Sequence, residues 1–285
     1  VGSRMNDVPV LLHGEDLVDG KDAGSLYDSP REISRYLLMH YGRAEDVFGD
    51  AAHPLAAAHG YTRRLSEAVH ACAVRTGTRV ARALDVGCNV GGATHAMSTW
   101  VEESVVGVDI SARAVETART LTEHSGGTFG VAESGPFVRE VAFRLPPAEG
   151  RAAVAFALGD AAALDVPEQP FDAVLLSNVL DRVEDPAACL EQFSASDALL
   201  REGGLLAVAC PWSWSSAFSR PERWLGSQDG STTSEEGLKH LLADRFDLLG
   251  EGDEPGVLRQ NPREYDYFEA HVTVWRKRPS GRRAA

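Results

Sequence analysis

Asp85, Gly87, Cys88, Asn89 and Gly91 lie in one short stretch, A-L-D-V-G-C-N-V-G-G, and Asp109 and Asp160 follow at the ends of later apolar runs. These types at these places suit a nucleotide-like ligand. Glycines in a tight turn let a ligand approach bare backbone at a helix N-terminus. An acid closing the next strand, Asp109, is placed to accept hydrogen bonds from a ribose diol. A third acid, Asp160, can receive the exocyclic amine of an adenine, with Ala161 offering its backbone N–H to the ring. Two details argue against a dinucleotide. The middle glycine of that fingerprint is here Asn89, and Asp85 stands just before the loop, where an acid suits a cationic ligand better than a diphosphate.

These residues need a particular framework. Apolar runs at 80–86, 105–109, 153–158, 171–176 and 205–210 read as buried parallel strands, and helical patterns at 91–100, 112–124 and 185–200 connect them. A capping box at 233–236 starts a helix ending near 243. Residues 246–249 and 271–275 read as a closing antiparallel hairpin, with Glu264-Tyr265-Asp266-Tyr267-Phe268 between its strands. The alternation predicts an α/β, Rossmann-like fold: a mostly parallel seven-stranded sheet with helices on both faces. Residues 125–151 are a Gly- and Pro-rich insertion, read as a hairpin of 128–131 and 138–143 around Gly135-Pro136. A lid and an oligomer contact are both open roles for it.

Ahead of the sheet, residues 5–26 read as a loose arm. Ser29-Pro30-Arg31-Glu32 is a capping box, and its helix places Ile33, Tyr36, Leu37 and His40 on one face before stopping at Gly42. A second helical pattern, 54–75, is interrupted by Gly60. Residues 5–78 are therefore an arm and helical cap, and 79–278 the core, in one structural domain. Val1 to Arg4, before Met5, read as an expression remnant.

With 285 residues, 44% hydrophobic and 25% charged, the chain is long enough for one large globular domain. Its formal net charge of −14 speaks against nucleic acid as a partner. No apolar run reaches the length of a membrane span, and no signal-like segment is present. Cys72, Cys88, Cys189 and Cys210 show no pairing pattern, which fits a reducing, cytoplasmic setting. The nine histidines show no metal-ligand spacing, so no metal is expected.

The run D-V-G-C-N-V-G resembles motif I of class I methyltransferases that use S-adenosylmethionine, and Asp109 matches their ribose-binding acid. The resemblance implies that cofactor, held by Asp85, Gly87, Cys88, Asn89, Gly91, Asp109, Ile110, Asp160, Ala161 and Ser177. No Asn/Asp-Pro-Pro-aromatic motif of DNA-base methyltransferases follows the strand at 171–176. Beyond motif I, the chain resembles the C-terminal methyltransferase domain of ovothiol biosynthesis proteins, which N-methylates 5-thiohistidine. The segments are R-Y-L-L-M-H-Y-G at 35–42, G-D-A at 159–161, N-V-L-D-R at 178–182 and D-P-A-A-C-L at 185–190. They continue with P-W-S-W at 211–214, R-P-E-R-W-L-G at 220–226 and A-H-V-T-V-W-R at 270–276. The N-x-L-D-R element also resembles that of protein-histidine methyltransferases acting on the π nitrogen. The iron-dependent sulfoxide synthase that accompanies the domain in ovothiol proteins is missing from this sequence. A separate C–S or C–Se bond-forming enzyme is therefore expected upstream.

A neutral imidazole has one N–H and one lone pair, so a hydrogen bond at one nitrogen fixes the other as nucleophile. Asp181 accepting the distal N–H would leave the π nitrogen free, with Asn178 holding the ring or the cofactor's amino-acid end. Tyr36, His40, Tyr41, Trp212, Tyr265 and Tyr267 are candidates for the substrate wall. Arg35, Arg182 and Arg223 are candidates for the substrate carboxylate. Asp181 as a helix N-cap is the structural alternative. Three functions stay open: a small-molecule N-methyltransferase for thio- or selenohistidine, a methyltransferase for histidine in proteins or peptides, and a non-catalytic cofactor-binding protein.

Overall fold

The computed structural model describes residues 8–17, 28–50 and 52–279. The arm expected over 5–26 lies partly outside them. Inside them it is not loose: Val10–Leu12 forms β1 and Gly14–Leu17 one 3-10 turn. Helix α1 (Pro30–Tyr41) begins where Ser29 accepts the Glu32 N–H at 3.2 Å, and it ends before Gly42. The expected capping box is half realised, because Glu32 pairs with Arg35. After α2 (Ala44–Phe48), Gly60 takes a left-handed conformation and starts α3 (Tyr61–Thr76).

Strand β2 (Arg82–Val86) and α4 (Gly92–Met97) carry the glycine turn. Helix α4 stops short of the expected Trp100. Ser98 and Thr99 hydroxyls bond back to the His95 and Ala96 carbonyls and take them from the helix ladder. Then come β3 (Ser104–Asp109), α5 (Ala112–Glu123), β4 (Gly126–Ser134) and β5 (Phe137–Arg144). The last two are the expected hairpin, and β1 adds to β4 in parallel to make a three-stranded sheet.

Strands β6 (Ala153–Leu158) and β7 (Phe171–Ser177) lead to α6 (Pro186–Ser194), which Asp185 caps. Helix α6 ends well before the expected residue 200, and β8 (Leu200–Cys210) already begins there. The ammonium of Lys277, fully buried, takes the carbonyls of Ser196 and Leu200 and so fixes this connection as non-helical. After α7 (Ser234–Leu242), β9 (Phe246–Asn261) and β10 (Glu264–Lys277) are far longer than the expected strands. The Gly/Pro-rich part of β9 read as loop, but β9 is the edge strand, where Pro255 is tolerated. Residues 264–268 therefore belong to β10.

The main sheet runs β6-β3-β2-β7-β8-β10-β9, parallel through β8, with β10 antiparallel to it. Order reverses between β2 and β7, the switch point where ligands bind in such sheets. One face packs on α3 and α4 through Leu65, Val69 and Met97, the other on α6 and α7 through Leu190, Phe193 and Leu238. Each fully buried aliphatic side chain of this core contributes about 2 kcal/mol. The three-stranded sheet packs on α1 through Phe129, Val131 and Leu37. Among the described residues no helix is long and apolar enough to cross a membrane, and no group of three ligating side chains is placed to hold a metal ion.

Candidate active site

The C-terminal ends of β2 and β3 bring the loop and its acids together. Gly87 and Gly91 both have positive φ, +74° and +88°. A Cβ on Gly87 would lie 2.3 Å from Val179, and one on Gly91 2.5 Å from Phe156. These two positions need glycine for conformation and for room. Gly87 and Cys88 donate their N–H groups to the Val108 carbonyl, which ties the loop to β3. Asn89 is left-handed, and its N–H reaches Asp109 at 2.7 Å. The other Asp109 oxygen accepts the Ser111 N–H at 2.9 Å. With three backbone N–H groups, of Asn89, Ile110 and Ser111, on its two oxygens, the carboxylate keeps acceptor capacity for a ligand hydroxyl. Ile110, beside it, is exposed.

Asp85 is fully buried, and the Thr94 hydroxyl donates to it at 2.6 Å. Burial, and then the nearby Asp109 charge, push its carboxyl up to about 7, only partly offset by Thr94. Burial also raises the Cys88 thiol well above its ordinary range, so it is no nucleophile here. Asp160 turns back onto the Ala162 N–H, and the Ala161 carbonyl accepts from Gln192. Ser177 closes β7 within 3.4 Å of the Tyr61 hydroxyl.

A model of the family described as a methyltransferase domain matches residues 57–246. The chain belongs to this family. It is a methyltransferase of the class I fold, and S-adenosylmethionine is its methyl donor. Among solved structures, the [4+2]-cyclase SpnF is 17% identical, covering 95% of this chain and 98% of its own, with a TM-score of 0.51. The N-methyltransferase NodS from Bradyrhizobium japonicum WM9, solved with S-adenosyl-L-homocysteine, is 14% identical over 84% and 98%, TM-score 0.48. Magnesium protoporphyrin IX methyltransferase from Synechocystis PCC 6803, solved with its cofactor, is 15% identical over 87% and 97%, TM-score 0.47. At these identities the likeness is one of fold. No curated protein matches in sequence.

The residues of the methyltransferase fit its donor. The glycine turn leaves a cradle that side chains would fill, Asp109 has spare acceptor capacity, and Asp85 supplies a buried acid for a cationic ligand.

Two residues expected in the substrate wall, His40 and Tyr41, contact the glycine turn from α1. The His40 ring accepts the Gly92 N–H at 3.0 Å, and burial lowers its pKa to about 3, so it stays neutral and caps α4. The Tyr41 hydroxyl donates to the Val90 carbonyl at 2.7 Å, and its ring stacks on Phe143 at 4.5 Å. Tyr36 meets the edge of His40. Helix α1 thereby clamps the loop from outside the sheet. Tyr265 packs against Phe48 and His53, beside α2, and Tyr267 is 47% exposed and bonded to Glu269. Neither is brought to the end of β7. The reason is the length of β10: once residues 264–268 are strand, alternation fixes their directions.

At the end of β7, Asn178 takes a left-handed conformation, and the Tyr61 hydroxyl donates to its side-chain oxygen at 3.0 Å. Tyr61 is buried, with the Phe268 ring edge-on at 5.1 Å. Sequence reasoning missed Tyr61; the signal was Gly60, which makes it the first residue of α3. Asp181 is 1% exposed. It caps no helix, since Asp185 does that for α6. One of its oxygens, Oδ2, accepts the Ser213 N–H at 3.0 Å and hydroxyl at 2.7 Å, with Arg182 at 3.1 Å. The other, Oδ1, is buried with no hydrogen-bond partner among the described residues. The Cys210 thiol beside the carboxylate is a weak donor at best.

The three arginines expected for a carboxylate are already engaged. Arg182 holds Ser213 and lies over the Phe218 ring, Arg35 pairs with Glu32 and Asp266, and Arg223 with Glu184. Trp212, Trp214 and Trp224 form a ladder, with ring centroids 6.0 and 5.8 Å apart. The Trp214 indole donates to Ser234 and the Trp224 indole to the Ser219 carbonyl.

Proposed function

We propose that this methyltransferase acts on the imidazole π nitrogen of a small histidine derivative, 5-thiohistidine or its selenium analogue. The observation that carries this reading is Asp181. Its side chain is fixed at Oδ2 by Ser213 and Arg182, while Oδ1 is buried with only the weakly donating Cys210 thiol beside the carboxylate. A buried acceptor left unmet costs about 1–3 kcal/mol, which a substrate N–H would recover. The matched segments at 178–182, 211–214 and 220–226 meet in this one place, and they carry the resemblance to the thiohistidine enzymes.

Asp85, Gly87, Cys88, Asn89, Gly91, Asp109, Ile110, Asp160, Ala161 and Ser177 hold the cofactor in this reading. When bound, it supplies an electrophilic methyl on a sulfonium. Asp181 accepts the distal ring N–H, which leaves the π lone pair directed at the methyl. Forming the N–CH3 bond while the S–CH3 bond breaks to leave a neutral thioether would pass the positive charge to the ring, where the same carboxylate would stabilise it in a site of low dielectric. Asn178, oriented by Tyr61, fixes the ring in line, and alignment is the main demand of such a displacement. A peptide histidine needs an open groove, whereas Asp181 lies under the segment that Ser213 begins. The four buried, unpaired thiols fit the cytoplasm. The precursor comes from enzymatic chemistry that forms the C–S or C–Se bond.

The test is an assay of the protein with S-adenosylmethionine and free 5-thiohistidine, 5-selenohistidine, histidine or a histidine peptide, the product read by mass spectrometry and NMR. A methyl on the π nitrogen of a free amino acid is expected. Asp181→Asn is expected to lower turnover at least ~100-fold while cofactor affinity stays within about threefold. A methylated peptide alone, or unchanged turnover in the variant, would sink the reading.

A further inference from the structure

Three buried polar atoms without partners among the described residues gather at the end of β8: Asp181 Oδ1, Trp212 Nε1 and His271 Nδ1. Trp212 stands two residues past the end of β8 and is held in a left-handed conformation, φ +54°. Its ring centroid lies 6.0 Å from that of His271. His271 is paired across the strands with Cys210, whose thiol sits beside Asp181. The other indoles of the ladder have acceptors; Trp212 does not. Native interiors leave few such atoms unmet, and three near one strand end are groups that a polar ligand could satisfy.

His271 is also prepared as an acceptor. Its Nε2 faces Glu251 Oε1 at 2.8 Å, and Lys239 binds the same carboxylate oxygen. In the neutral ring with its proton on Nε2, facing Glu251, Nδ1 keeps a lone pair. The trio thus offers two acceptors, Asp181 and His271, and one donor, the Trp212 N–H.

We propose that His271 and Trp212 bind the free ammonium and carboxylate of an α-amino acid substrate, His271 Nδ1 accepting from the ammonium and Trp212 Nε1 donating to the carboxylate. The inference rests on the imidazole reading above, in which Asp181 takes the ring N–H, and it deepens that reading by assigning the substrate class: a free zwitterion, neither a peptide nor a des-amino acid. It also supplies a carboxylate contact where the three arginines are otherwise engaged.

The experiment titrates 5-thiohistidine and its des-amino analogue, the same ring on a propionate chain, into the protein saturated with S-adenosylhomocysteine, and repeats both as methylation kinetics. The wild type is expected to favour the amino acid roughly 10- to 100-fold in Kd and KM, the loss expected for a buried partner of a charged group. His271→Leu should erase that preference by weakening the amino acid alone, with the des-amino analogue bound as before. Glu251→Gln, on the surface side, should reduce the preference without unfolding. Equal use of both compounds by the wild type, or a preference retained in His271→Leu, overturns the assignment while the imidazole reading stands. Binding of neither compound overturns both.

Discussion

Asp85 should make the protein less stable in exchange for ligand binding, and pH separates the two. Burial pushes its carboxyl up to about 7, against 3.8 for an ordinary aspartate. In the unfolded chain it releases its proton near pH 4; in the native protein it keeps it to about 7. Between those values the native state binds more protons, so stability drains away as pH rises and the full cost is present above about pH 7. The gap between those two values sets that cost at no more than about 4 kcal/mol. Asp85→Asn removes the charge and keeps an acceptor for Thr94. At pH 8 it is expected to unfold up to roughly 4 kcal/mol later in urea, or about 8 °C higher on heating. The advantage should shrink steadily below pH 7 and vanish near pH 4. The same variant should bind S-adenosylmethionine at least ~10-fold more weakly at pH 8, because the buried anion that favours a cationic ligand is gone. A stability difference that is flat from pH 5 to 8, or a less stable variant at pH 8, would refute the reasoning.

Other substitutions read other parts of the site. Gly91→Ala places a Cβ 2.5 Å from Phe156 at φ +88°, so a loss of at least about 2 kcal/mol and of measurable cofactor binding by calorimetry is expected. His40→Ala removes the acceptor for the Gly92 N–H and should cost about 1 kcal/mol in chemical denaturation. His40→Asn keeps an acceptor but no longer titrates. Native His40 resists protonation down to about 3 while the unfolded ring takes a proton near 6.5, so wild-type stability should fall with acid across that window, relative to His40→Asn, by about 1.4 kcal/mol per pH unit. Tyr61→Phe leaves the Asn178 oxygen without its donor and is expected to lower turnover about 10-fold, with cofactor affinity unchanged.

The amino-acid order alone determined the frame: strand, glycine turn and helix at 82–97, the acid closing β3, and the hairpin at 126–144 are all local patterns. Alternation, capping and left-handed glycines act over a few residues, so they can be read from a few residues. The closing strands were under-read because the Gly/Pro-rich part of β9 pairs by virtue of its partner, and pairing is a tertiary property. The same holds at the site. The motif residues Asp85 and Asp109 lie close in sequence to the turn they serve. His40, by contrast, meets Gly92 across 52 positions, and Tyr61 meets Asn178 across 117. Only tertiary packing decided that α1 carries His40 and Tyr41 onto the glycine turn and that Tyr61 on α3 reaches Asn178, and only the pairing of β10 turned Tyr267 to solvent and set His271 beside Trp212. A residue's type limits the hydrogen bonds it can make; the fold decides which group stands within reach to make them.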